Sequence, residues 1–254
     1  MIKNRDNKFI FPNLNTASRV MAEEIVDLIN SVISKKGRFM LALSGGNTPR
    51  TLYGILASEF SHKIPWEHVH LFWGDERYVP KNHAQSNFAM AYDSFISRVN
   101  IPQGNVHRIP VENGSPEKSA ELYEMLLKKM FDYSTGKNDY QSFDLILLGM
   151  GEDGHTASLF PANPVLFETH RLVCAVNAPP EMKPIHRITI TFPIIDRANC
   201  VFFLISGAEK EKILQLIFKK TEKAKKIYPA AMVNPRGKTV WFINSNGMSD
   251  IKPM

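Results

Sequence analysis

The feature that most restricts this chain is a recurring pair: a short, strongly apolar run followed by a stretch of helical period. Residues 39–43, 69–73, 143–148 and 200–205 are such runs, and buried parallel strands carry this kind of sequence because both faces of their sheet are covered. Between the runs, residues 17–36 read as an amphipathic helix, with Val20, Ile25, Leu28, Ile29 and Val32 on one side and Gly37 as its stop. Residues 49–58, 87–98, 116–131 and 208–219 read as further helices, 187–191 as an alternating strand and 240–243 as a last strand. Segment 132–142 reads as a linker, and the tail from residue 244 carries no periodic signal. The rhythm predicts an α/β fold with a mostly parallel sheet. No internal repeat and no shift of composition marks a boundary, so one domain over 1–254 is expected.

A chain of 254 residues, 44% hydrophobic and 22% charged, can bury a sizeable core, which excludes a disordered chain or a small stapled scaffold. Its formal charge is +6, but Lys and Arg are spread along the chain with acids among them. That distribution suits an anionic small molecule; no nucleic-acid partner is expected. Cys174 and Cys200 alone can build neither a disulfide framework nor a Cys-based zinc motif. Residues 1–12 lack the apolar block of a secretory leader, and no run approaches the roughly 18 apolar residues of a membrane span. A cytoplasmic location with no membrane partner is the expectation. The oligomeric expectation is a monomer or a weak homo-oligomer.

In open parallel sheets ligands sit at the carboxyl ends of strands, so the loops after the apolar runs are where chemistry should lie. The first, LSGGNTP at 43–49, offers Gly45 and Gly46 for close backbone approach, Ser44 as a polar contact, Thr48 as a helix cap and Pro49 for a first turn. Exposed N–H groups at such a helix start favour an anion. The Gly-Lys-Ser/Thr ending of a nucleotide-binding phosphate loop is absent. The second, FWGDERYVP at 72–80, aims charges at the same end: Arg77 can pair with phosphate or carboxylate, and Asp75 can bind sugar hydroxyls or serve as a base.

The third loop, GMGEDGHTASLFP at 149–161, contains a literal G-x-G-x-x-G, but Pro161 and Pro164 forbid the helix that a dinucleotide fingerprint requires. What remains is a Gly-rich loop presenting Asp153 and His155, an imidazole able to take a proton from water with a carboxylate to hold its tautomer. Lys183, His186 and Arg187 before one strand, and Lys210 after another, can add positive charge for a phosphorylated substrate. The other histidines show no metal-ligand pattern; His68 and His70 can share a strand face but lack a third ligand, and no metal is expected.

These loops, in this order, resemble the 6-phosphogluconolactonases, relatives of the glucosamine-6-phosphate deaminases and ribose-5-phosphate isomerases. The matching stretches are LALSGGNTPRTLY, FWGDERYVP with the following SNFAMA, LILLGMGEDGHTASLFP, HRITITFP and FFLISGAEKEKIL. The resemblance implies a modified doubly wound sheet flanked by helices, and hydrolysis of 6-phospho-D-glucono-1,5-lactone with no cofactor. Carried over residue by residue, it implies that residues 44–48 line the phosphate and sugar site. Arg77, Arg187 and Lys210 then supply positive charge, and His155 is the general base, with Asp75 and Asp153 beside it. The deaminases place an acid shortly after the matching His and lack an Arg before the matching Tyr. Here 156–160 hold no acid and Arg77 precedes Tyr78, which favours the lactonases over a deaminase. A non-catalytic sugar-phosphate sensor on the same fold is the other alternative. One departure stands at the last strand: WFIN, where the lactonase pattern commonly ends in Asp, so Asn244 is expected to be structural.

Overall fold

The computed structural model describes residues 7–132, 142–219 and 221–251; most of the 132–142 linker lies outside them. Six parallel strands form the main sheet: β1 (Lys8–Phe11), β2 (Phe39–Leu43), β3 (Val69–Trp73), β5 (Leu145–Leu148), β8 (Cys200–Ile205) and β9 (Lys238–Asn244), in the spatial order β1-β9-β8-β5-β2-β3. A second, antiparallel sheet has the order β4-β7-β6, from β4 (Asp75–Arg77), β6 (Val173–Asn177) and β7 (His186–Ile190). Every residue of β2, β5 and β8 is buried, as their unbroken apolar sequences require.

Helix α1 (Leu14–Lys36) starts three residues before the apolar period does, because the Asn13 side chain accepts the Thr16 N–H at 2.8 Å. Gly37, at φ +74°, ends it and donates its N–H to Ile33 O at 2.8 Å. Helix α2 (Thr48–Ser58) begins one residue earlier than expected. Asn47 takes the cap position, so Thr48 is the first helical residue and not the cap. Helix α3 (Asn87–Ser94) stops short of the predicted end, with a single 3-10 turn over Ile96–Arg98 after it. Helix α4 (Pro116–Met130) packs on β6 and β7 and closes one face of the small sheet. Short helices follow at α5 (Phe192–Ile195), α6 (Glu211–Phe218), α7 (Glu222–Ile227) and α8 (Pro229–Met232).

Three strands escape the sequence reading. β1 is only partly buried, so its apolar residues look isolated; β6 is short and ends exposed; β4 looked like a charged loop. The 187–191 run is also not the half-exposed strand that its alternation suggests. Arg187 through Ile190 are all buried, because α4 covers the small sheet.

The two sheets meet at Gly74. Its N–H donates to Leu43 O at 2.9 Å, extending the main sheet, while its carbonyl accepts from Ile190 N at 2.8 Å, in the small one. One residue thus carries the chain from one sheet to the other. Charged residues that follow Gly74 lie at the carboxyl ends of β2 and β5, where a parallel sheet leaves its crevice.

Candidate active site

A cavity of about 220 Å³ opens at this junction, lined by the 44–49 turn, Gly74, Asp75, Arg77, Asn87, the 147–151 segment, His155, Ala157, Leu204 and Lys210. Ser44, Gly45, Gly46 and Thr48 all face it, as do Asp75, Arg77, His155 and Lys210. Segments separated by more than a hundred residues in the chain therefore share one wall. Two of the expected site residues stand behind it. Asp153 bonds to His155 without lining the cavity. Arg187 is buried and turned toward its own hairpin, its Nε donating to Pro184 O at 2.6 Å and Nη2 to Met182 O at 3.1 Å. Arg187 lies opposite Arg77 across the β4–β7 pair, and both burial and that neighbouring charge lower its pKa. It is not among the residues that line the cavity.

The imidazole is fixed by its loop. His155 Nδ1 lies 2.6 Å from Asp153 Oδ1, and the same oxygen accepts the His155 backbone N–H at 3.0 Å. With Nδ1–H donated to the carboxylate, the remaining lone pair is on Nε2, the tautomer that a base needs. The ring leans on Phe160, centroids 4.8 Å apart. A Cβ on Gly151 would overlap the His155 ring, so that glycine is a condition of the geometry. Burial pushes the Asp153 carboxyl up, but the hydrogen bonds and charge of His155 outweigh it and leave the pKa lowered.

The charged run after β3 splits by strand alternation. Asp75 and Arg77 point to the cavity, whereas Glu76 points away and is almost fully buried. Its carboxylate accepts the N–H groups of Arg77, Asn87 and Phe88 at 2.7 to 2.8 Å and the Ser86 hydroxyl at 3.0 Å. It takes the first two orphan donors of α3, and Ser86 Oγ takes the Ala89 N–H at 3.1 Å. Burial raises its pKa and those N–H bonds oppose the rise.

Two tyrosines, neither foreseen, lock the strand ends. Tyr53 on α2 donates to Ser44 O at 2.8 Å and accepts Ser44 N–H at 3.0 Å. Tyr123 on α4 does the same at Trp73, at 3.0 and 2.9 Å. Tyr123 thus grips the last residue of β3 and Tyr53 the first residue after β2, where the loops that line the site begin. Both phenols are fully enclosed, which raises their pKa above the usual tyrosine range.

Lys210 donates Nζ to Ser206 O at 2.9 Å; burial lowers its pKa, opposed by Glu209 and Glu152. Asn244 donates to Ser206 Oγ at 2.9 Å, so the end of β9 buttresses the segment that holds the lysine. Asn87 and Ser158 are the other residues the sequence reading missed. The only signals for them were a Ser-Asn pair before a helical stretch and a hydroxyl inside the His loop. Among the described residues no three His, Cys, Asp or Glu side chains come together as metal donors. Nor, among those residues, is any helix long and apolar enough to cross a membrane.

The family pattern described as glucosamine-6-phosphate isomerases/6-phosphogluconolactonase matches residues 12–241. A 6-phosphogluconolactonase of Synechocystis sp. is 41% identical over 225 residues, 89% of this chain and 90% of that one. A chloroplastic 6-phosphogluconolactonase of Arabidopsis thaliana is 37% identical, over 91% of this chain and 71% of its own. The crystal structure of 6-phosphogluconolactonase from Thermotoga maritima superposes with a TM-score of 0.79 at 33% identity, covering 93% of this chain and 98% of that one. With that match taking in the small sheet, most of the main sheet and every residue that lines the cavity, the chain belongs to the glucosamine-6-phosphate isomerase/6-phosphogluconolactonase family.

Proposed function

We propose that this cavity hydrolyses 6-phospho-D-glucono-1,5-lactone to 6-phospho-D-gluconate, with His155 as general base. The single observation that carries the mechanism is the imidazole on the cavity wall with Nδ1 committed to Asp153 at 2.6 Å, facing a site that also holds Arg77 and Lys210. Nε2 removes a proton from a water whose oxygen bonds to the lactone carbonyl carbon. The tetrahedral oxyanion then expels the ring oxygen, which takes the proton back from the imidazolium. Asp153, held ionised, offsets the imidazolium charge between these two transfers.

No serine nucleophile is required, because a lactone is already strained toward opening. A positioned base contributes about 10²- to 10⁴-fold, and an anchored phosphate supplies orientation. Lys210 and the N–H groups at the start of α2 suit the phosphate. Arg77 and the Gly45–Gly46 backbone both suit the oxyanion. No cofactor enters this scheme. The relatives carry the name of this activity, and such a hydrolysis belongs to pentose phosphate metabolism.

The test is acid release from freshly generated 6-phosphogluconolactone, followed in a pH-stat against the spontaneous rate, beside ammonia release from glucosamine 6-phosphate. Enzyme-dependent acid release without ammonia is expected. Ammonia without acid release would make the site a deaminase, and tight binding of both sugar phosphates without turnover of either would make it a sensor.

A further inference from the structure

Three residues after His155, a buried hydroxyl is anchored on the small sheet. Ser158 Oγ donates to Asp75 Oδ2 at 2.7 Å, and Ser158 N–H donates to Thr189 Oγ1 at 3.2 Å. Asp75 and Thr189 are themselves paired across β4 and β7. The other oxygen of Asp75 accepts Asn87 Nδ2 at 3.1 Å, and the same amide donates to Asp75 O at 2.9 Å. Asp75, Asn87, Ser158 and Thr189 are all more than nine-tenths buried. Both carboxylate oxygens of Asp75 are thus held by protein donors before any substrate arrives.

Between His155 and Ser158 the backbone is strained. Ala157 sits at φ +48°, in the left-handed region that a residue with a Cβ occupies only when its surroundings force it. The forcing contacts are visible on both sides. Thr156 Oγ1 hooks to Gly149 O at 2.8 Å, at the end of β5 in the main sheet, while Ser158 hooks to β4 and β7 in the small one. The turn that carries His155 is stretched across the seam between the sheets and pinned at each end.

We infer that Ser158 is a positioning residue for the reaction: its hydroxyl, anchored on Asp75, sets the turn that aims His155 at the lactone, and Asp75 acts as that anchor and carries no proton. The inference rests on the general-base reading of His155. It also assigns Asp75 a different task from the base or sugar contact that its place after β3 suggested.

The experiment compares Ser158→Ala and Asp75→Asn with the unaltered chain in lactone hydrolysis, with thermal melts and 6-phosphogluconate binding by calorimetry alongside. Ser158→Ala should lower kcat by about 10²-fold, the scale of a 1 Å misplacement of a reacting group, with KM and product affinity within about twofold. Asp75→Asn keeps one acceptor oxygen, for Ser158, while its amide N–H faces that of Asn87, and it should lower kcat by less than about 10²-fold. Should Ser158→Ala not fold, Asp75→Asn alone decides. Full kcat in Ser158→Ala, or a loss confined to KM, would overturn the positioning role. A folded Asp75→Asn as inactive as a His155 variant would overturn the anchor role and make Asp75 a proton carrier. No turnover by the unaltered, folded chain would overturn the lactone reading itself and this inference with it.

Discussion

Two histidine pairs in this molecule, His155 with Asp153 and His107 with His70, use the same side chain to opposite ends. The first is a ring nitrogen 2.6 Å from a carboxylate; the second is His107 Nε2 3.1 Å from His70 Nδ1. His107 stacks on Phe72 with centroids 4.6 Å apart, and burial together with the charge of His70 pushes its pKa down to about 4. Burial and the nearby Arg38 lower that of His70 as well. A proton arriving at His155 meets an anion, whereas one arriving at the His70–His107 pair meets a second imidazole, an aromatic face and a cation. Only the first pair can hold an imidazolium during a reaction. What makes a histidine a base is therefore its partner and its access to a cavity more than its own basicity.

The largest effect should come from breaking the first pair. His155→Asn should lower lactone turnover by about 10²- to 10⁴-fold while leaving 6-phosphogluconate affinity nearly intact; retained turnover would remove the general base from the mechanism. Asp153→Asn should follow it down by about 10²-fold or more, because an amide can donate to Nδ1 and so stabilises the tautomer that leaves Nε2 protonated. An Asp153→Asn enzyme with unchanged kcat would mean that the carboxylate only shapes the loop. A smaller effect, on binding, should come from the cation across the cavity. Lys210→Met removes a charge-assisted hydrogen bond to phosphate, which costs about 1.5–3 kcal/mol, or roughly 10- to 150-fold in affinity. Its kcat should change little. Equal affinity of the unaltered chain for gluconate with and without its phosphate would contradict the anchor.

Much of the first pair was readable in the sequence and none of the second. Asp153 and His155 stand two residues apart in a Gly-rich loop after an apolar run, so their meeting is local. The convergence of the 43–49, 72–80 and 149–161 loops followed from the rule that parallel strands deliver their loops to one edge. His70 and His107 are 37 residues apart and belong to no common periodic pattern, so nothing short of the fold brings them together. The same limit hid the small sheet. β4 is three charged residues, and its pairing with β7 depends on the double hydrogen bonding at Gly74. It also hid the packing of Arg187: sequence position says cation near a strand end, and the fold turns its Nε and Nη2 to the carbonyls of residues 184 and 182. Local chemistry was legible; the inward or outward choice of a side chain on a strand depends on what covers the sheet.

The smallest effect should appear in stability, at the second pair. The folded-state pKa of His107, about 4, lies below its ordinary value of 6.5, so the unfolded chain binds more protons in that interval. The stability associated with a neutral His107 is complete above about pH 6.5 and is lost progressively as pH falls toward 4. Glu76 acts in the opposite sense: its pKa is raised by burial, so its protonation favours the folded state as acid is added. The quantity to measure is therefore the change of slope on substitution, not the slope itself. His107→Leu keeps an apolar contact for Phe72 and the backbone bond to Leu71 O while removing the titrating ring. Its melting temperature should fall less between pH 7.5 and 5 than that of the unaltered chain, by about 2–4 °C, the shift that about 1 kcal/mol produces in a chain of this size. Lactone turnover at pH 7.5 should stay within about twofold, since the pair lies outside the cavity wall. An unchanged slope would mean that the His70–His107 pair opens to water before it titrates, and the contrast with His155 would then rest on access to substrate alone.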